Sequence, residues 1–178
     1  IDWDVFITKD AGDAERLARE AAAAGVDAVV VYGGDGTVTE AAAGLVGTEV
    51  PLAILPGGTA NAIALALGIP TGLDEAAALL ASGETALRQV DMGRIGDKHF
   101  LMAVGIGIPG ELAESADREA KDRLGFLAYA FSSIQAVRTV AAVQYTITVD
   151  GEQRQTQGVT CLIANGGNFG IPGLNLEP

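Results

Sequence analysis

The sequence predicts an α/β protein: a doubly wound, mostly parallel sheet followed by a second, β-rich antiparallel domain. Three features predict it. The apolar runs Val29–Val31 and Pro51–Leu55 suit strands covered on both faces, as in a parallel sheet with helices above and below. Alanine-rich helical stretches alternate with them, giving the β, α, β, α order of right-handed crossovers. Near Gln89 the pattern turns to short strands joined by Gly-Asp and Asp-Gly pairs, which signals hairpins. With 178 residues and 49% hydrophobic content the chain can bury a sizeable core, and disorder is not expected.

Asp4–Thr8 alternates weakly and reads as a first strand. Asp13–Ala24 carries apolar residues at Ala14, Leu17, Ala18 and Ala21 before Gly25, which is helical spacing with a stop. After the strand Val29–Val31, a helix over Thr37–Leu45 is expected, with Thr37 and Glu40 forming a capping box. The strand Pro51–Leu55 and a helix over Thr59–Leu67, ended by Gly68 and Pro70, complete the first part. In VDMGRIGDKHFLMAVGIGI two strands meet at Gly96 and Asp97. One or two helices are expected within Asp122–Ala141, then strands Val143–Val149 and Val159–Ile163 with Asp150 and Gly151 turning the chain between them. The predicted boundary lies at residues 88–92, dividing an α/β nucleotide-binding domain, 1–90, from a β-rich domain, 91–178.

Charge narrows the partners. The net charge is −12, and residues 1–92 carry 14 acidic but only 4 basic side chains. No basic stripe exists to follow a nucleic acid backbone, and polybasic membrane attachment is disfavoured. A nucleotide held by the first half would need Mg²⁺. No window approaches the ~18 consecutive apolar residues of a membrane span, so no transmembrane helix is expected. The start IDWDVFITKD lacks the features of a secretory signal, so a cytoplasmic location is the expectation. Cys161 reads as a small hydrophobe, and the sole histidine, His99, as a satisfied or solvated one without partners at metal spacing.

VVVYGGDGT, Val29–Thr37, is the segment that points to chemistry. A strand ending in Gly33, Gly34 and Gly36 lets a ligand approach the backbone, and free amides at the following helix start suit phosphate. Asp35 among those amides would repel a phosphate unless a divalent cation intervenes or the carboxylate acts on an attacking hydroxyl. Phosphoryl transfer therefore fits better than simple anion binding. Tyr32 reads as strand packing rather than nucleotide stacking. Leu55–Asn61 repeats the device with Pro56, Gly57, Gly58 and then Thr59 at an expected helix start. Thr59 and Asn61 either meet phosphate oxygens or cap their own helix. Neither loop fits GxxxxGK[ST] or GxGxxG.

The pair GGDGTVTEAAAGL and LPGGTANAIALALGIP, followed by VDMGRIGDKHFLMAVGIG, KDRLGFLAYAFSSI and CLIANGGNFG, resembles the catalytic domain shared by diacylglycerol kinases, sphingosine kinases and bacterial lipid kinases. The resemblance runs along nearly the whole chain. It implies an NAD kinase/diacylglycerol kinase-like fold and an ATP-dependent kinase that transfers the γ-phosphoryl group to a lipid hydroxyl, with ATP and Mg²⁺ as cofactors. Gly33, Gly34, Asp35, Gly36 and Thr37 would hold the phosphates, with Gly58, Thr59 and Asn61 beside them. Asp35 would be catalytic, and Asp35 and Asp91 would serve the metal. The implied partner is a lipid met at a membrane surface by peripheral association, with no nucleic acid and no membrane span; a homodimer is left open.

Two positions depart from the family pattern. Thr39 stands where GGDGTxNE has asparagine, and Ala62 where GTxND has aspartate, which brings the second loop nearer the sphingosine-kinase-like GSGNA form. The family's entry strand would precede Ile1 and its acidic Asp-Gly segment would follow Pro178, so the activity of these 178 residues alone stays open. Two other classes compete: an NAD kinase, which shares GGDGT, and a non-catalytic nucleotide-binding regulatory domain. Arg118, Lys121 and Arg123 read as a solvated helix face rather than a headgroup clamp, and Leu124–Val140 either lines an acyl pocket or packs on the sheet.

Overall fold

The computed structural model describes residues 2–83, 86–107 and 142–165. Its elements are α1 (Asp13–Ala23), β1 (Val29–Gly33), α2 (Asp35–Leu45), β2 (Leu52–Pro56), α3 (Ala62–Ala66), α4 (Leu73–Ser82), β3 (Gly93–Ile95), β4 (Lys98–Phe100), β5 (Ala103–Ile106), β6 (Val143–Val149), β7 (Glu152–Gly158) and β8 (Cys161–Ala164). They fall into two compact units, Ile1–Met102 with Asn165–Pro178, and Ala103–Ala164.

In the first unit β1 and β2 pair in parallel, from Val29 opposite Leu52 to Gly33 opposite Pro56. Against this pair lies a core made of Ala14 and Ala18 from α1, Val31 from β1, Val38, Ala41 and Leu45 from α2, and Ile63 from α3. Small residues let α1 and α2 approach closely. A Cβ on Gly44 would press on the Glu15 carbonyl and stand 3.0 Å from the Ala18 methyl, so the crossing depends on a bare backbone there.

Several elements differ from expectation. Asp4–Thr8 has no regular secondary structure and joins no ladder among the described residues, and Val5, Phe6 and Ile7 are 70%, 66% and 80% exposed. Extended chain becomes a strand only where a neighbour takes its hydrogen bonds, and no described residue does so here. Val30 and Tyr32 are exposed while Val31 is buried, so among the described residues β1 is covered on one face, despite its continuous apolarity. Two helices begin later or earlier than their patterns suggest: α2 opens at Asp35 with Gly34 extended before it, and α3 opens at Ala62 with Asn61 in the left-handed region. Thr37 is therefore inside α2, and no capping box forms. Glu40 instead accepts a hydrogen bond from the Gly12 amide at 3.0 Å, tying α2 to the turn before α1. α4 was not anticipated; Asp74 and Glu75 in its first turn complement its dipole.

Antiparallel pairs follow. β3 and β4 form the expected hairpin through Gly96 and Asp97. In the second unit β5 pairs with β8 and β6 with β7. Asp150 (φ 51°) and Gly151 (φ 85°) make the two-residue turn whose positive φ values match strand twist. That turn leads into β7 rather than directly into the later apolar strand. The polar sequence EQRQTQG of β7 offers no hydrophobic alternation, and its pairing comes from the register that the turn sets. Tyr145 and Thr160 hydroxyls both donate to the Ile106 carbonyl, at 3.1 and 3.0 Å, which secures the end of β5. The helices expected within 122–141, the cations Arg118, Lys121 and Arg123, and the apolar stretch Leu124–Val140 lie outside the described residues.

At the start of α1 the Asp13 carboxylate accepts the Lys9 and Asp10 amides at 2.9 and 3.1 Å and pairs with Arg16 at 3.0 Å. The Lys9 amide foremost, then Arg16 and the Asp10 amide, lower its pKa from 3.8 to about 2. A lowered carboxylate stabilises the fold above the ordinary value and loses that contribution as pH falls through the lowered one. A carboxyl-carbon NMR titration should therefore place the Asp13 midpoint near 2. A midpoint at the ordinary 3.8 would mean that these contacts do not form in solution.

Candidate functional site

β1 delivers the chain to Gly33, Gly34 is extended at φ −87° and ψ −177°, and Asp35 is already helical. The first turn-forming bond of α2 runs from the Val38 amide to the Gly34 carbonyl at 3.0 Å. The amides of Asp35, Gly36 and Thr37 precede it, and none has an acceptor among the described residues. Three donors at the start of an 11-residue helix, with the macrodipole behind them, are the arrangement that suits an anion. Thr39, which stands in the family's asparagine position, bonds back to the Asp35 carbonyl at 2.8 Å and so takes a local role.

The second loop is built directly on the first. The Gly57 amide donates to the Gly33 carbonyl at 2.9 Å, continuing the β1–β2 ladder by one bond. A methyl on Gly58 would stand 2.6 Å from the Gly34 Cα, so the two main chains touch only because neither residue carries a side chain. Tyr32, though exposed, lies against Gly57, where a Cβ would come within 2.8 Å of its ring. This is packing, but packing onto the second loop rather than within the strand. Asn61 accepts the Gly58 amide at 2.9 Å and donates to the Gly58 carbonyl at 2.8 Å, so its side chain closes the turn. Thr59 is exposed and does not open a helix.

Asp35 links the two loops. Its Oδ2 accepts the Ala62 amide at 3.1 Å and its Oδ1 the Ile63 amide at 2.9 Å. The reading from sequence had two helix N-termini facing one phosphate chain; here the second is filled by a carboxylate. Each oxygen keeps a further acceptor direction. Asp91 is exposed ahead of β3 and has no hydrogen bond or ion pair to either glycine loop. Its carbonyl accepts Asn165 Nδ2 at 2.6 Å, and the same nitrogen donates to Leu101 at 2.9 Å. Asn165 was not singled out from sequence, although it lies within CLIANGGNFG; nothing in its local pattern shows that it meets two carbonyls far away in the chain.

The Asp35, Gly36 and Thr37 amides, without an acceptor among the described residues, have the donor chemistry that suits a phosphate group. For Mg²⁺, no three Asp, Glu, His or Cys side chains converge among the described residues, so there is no ready-made protein cage. Mg²⁺ bound chiefly to substrate phosphates, with one or two carboxylates, is compatible with that donor set.

Comparison with known proteins agrees with the loops. Residues 1–95 match the family described as diacylglycerol kinase catalytic domain, and residues 102–178 match the YegS C-terminal NAD kinase beta sandwich-like domain. The chain belongs to the diacylglycerol kinase catalytic-domain family, with a diacylglycerol kinase-like fold followed by a β sandwich-like domain. It is 38% identical over 170 residues to a Pseudomonas putida protein named "Probable lipid kinase YegS-like", covering 94% of this chain and 56% of that one. A Pseudomonas aeruginosa protein of the same name is 38% identical over 169 residues, covering 93% and 55%. A crystal structure titled as a diacylglycerol kinase from Bacillus anthracis superposes with a TM-score of 0.73 at 35% identity, covering 95% of this chain and 56% of that chain. Another solved chain from that organism gives 0.79 at 36%, covering 96% and 58%. The chain thus spans about half the length of the curated relatives it matches.

The Gly34–Gly58 contact yields a direct test. Gly58→Ala must part the loops, at a cost of about 1–3 kcal/mol by overpacking, and weaken ATP binding by roughly tenfold or more. Calorimetric titration of the complete protein measures it, and an unchanged affinity would show that the contact does not shape the site.

Proposed function

We propose that this chain is part of an ATP-dependent lipid kinase that transfers the γ-phosphoryl group to a diacylglycerol- or sphingosine-like hydroxyl. The observation that carries the reading is the set of Asp35, Gly36 and Thr37 amides at the start of α2, without an acceptor among the described residues, with the second glycine loop held alongside. Family membership and the names of the relatives support it.

On this reading Gly33, Gly34, Gly36 and Thr37 hold the phosphate chain, and Gly58, Thr59 and Asn61 form its second wall, Asn61 by shaping the turn. Asp35 directs an unused oxygen lone pair toward the acceptor hydroxyl or a cation. The hydroxyl oxygen bonds to the γ-phosphorus, the bond to the β-phosphate bridging oxygen breaks, ADP leaves and the hydroxyl proton is released. Holding the phosphates and the hydroxyl in line supplies most of the rate, because loose phosphoryl transfer asks mainly for position and charge stabilisation. Mg²⁺ would spread the phosphate charge, as the acidic first half demands, with Asp35 and Asp91 as its carboxylates. Residues 1–90 then form the nucleotide-binding domain and 91–178 the lipid-substrate domain. The enzyme would work from the cytoplasm by peripheral contact with a membrane; no described helix is long and apolar enough to cross one.

Incubating the complete protein with labelled ATP, Mg²⁺, a lipid panel and NAD identifies the product. A labelled lipid is the expected result. Labelled NAD would make the protein an NAD kinase, and binding without product would make it a nucleotide sensor; either would overturn the reading.

A further inference from the structure

Resting on that phosphate-binding reading, we infer that Asp35 is also a positioning residue: its carboxylate fixes the second glycine loop on the first and so sets the width of the phosphate cradle. α3 has only five residues, too few to persist by backbone bonding alone. Its first amide bonded within the chain's own turn is Leu65, to the Asn61 carbonyl at 3.0 Å. The Ala62 and Ile63 amides come earlier and would be left over; Asp35 gives one oxygen to each. Asn61 precedes them at φ 47° and ψ 40°, with its side chain fastened to both backbone groups of Gly58. Gly58 in turn rests on Gly34, the residue before Asp35. The contacts close a ring from Asp35 through Ala62, Ile63, Asn61 and Gly58 back to Gly34. Ile63, 4% exposed, seats the ring in the core cluster that also holds Val38.

Electrostatics makes the two roles of Asp35 separable. A carboxylate beside a polyphosphate opposes binding when no cation is present. If the residue acted only through its charge, or only on the acceptor, its neutral variants would bind metal-free phosphates as well as before or more tightly. A residue that holds the cradle predicts weaker binding.

The test uses the complete protein with Asp35→Asn and Asp35→Ala, sodium tripolyphosphate in EDTA as the probe, and hydrogen exchange at the Ala62 and Ile63 amides. Both variants remove the charge, but asparagine keeps one oxygen acceptor. Exchange should quicken from wild type to Asn to Ala, and tripolyphosphate affinity should fall in that order, by about tenfold for Ala, the scale of a lost capping interaction. Unchanged exchange, or an affinity that does not fall, overturns the inference. If Asp35→Ala loses its far-UV signal altogether, Asp35→Asn alone decides. A wild type that binds neither tripolyphosphate nor ATP refutes the phosphate-binding reading; exchange at the two amides then decides the positioning role by itself.

Discussion

The candidate site depends on one steric constraint: two loops approach until their main chains touch, and where Gly58 meets Gly34 there is no room for a side chain. Each loop alone is an ordinary strand-to-helix turn. Brought together, they place three amides of α2 that have no acceptor among the described residues next to the second loop, with Asp35 hydrogen-bonded to the amides that begin α3. The parallel pairing of β1 with β2 determines which residues meet, because Gly33 opposite Pro56 brings the two loops out at the same level. A register slip would separate them.

Asp35 therefore carries more than one demand. On the proposed reading its carboxylate would lie beside a polyphosphate that repels it, and two backbone amides already orient it. Charge-assisted hydrogen bonds of this kind fix a side chain firmly, which suits a group that must present its remaining lone pairs in one direction. Thr39 and Ala62, the departures from the family pattern, each have a partner in the structure. Thr39 bonds to its own helix, and Ala62 contributes its amide to Asp35, a donation that needs no side chain.

Much of the fold was legible because strong local signals coincide with it. α1, β1, β2, the Gly96-Asp97 hairpin and β6 all follow from periodicity and turn chemistry. The misses share a cause: where tertiary contact outweighs local pattern, the pattern misleads. Thr37 and Glu40 look like a capping box, but Gly34 lets the helix begin earlier and Glu40 finds Gly12. Thr59 looks like a helix start, but α3 opens at Ala62, whose amide bonds to Asp35, distant in sequence. Asp4–Thr8 has strand composition without a described partner, and β7 has a partner without strand composition. At the site the glycines were readable from sequence because bare backbone leaves a compositional mark. The Asp35–α3 contact and the role of Asn165 left none.

A crystal structure of the complete protein with a non-hydrolysable ATP analogue and Mg²⁺ tests the phosphate site most directly. The β- and γ-phosphates should lie on the Asp35, Gly36 and Thr37 amides, between Gly34 and the second loop. A nucleotide bound elsewhere, with those amides facing only water, would contradict it.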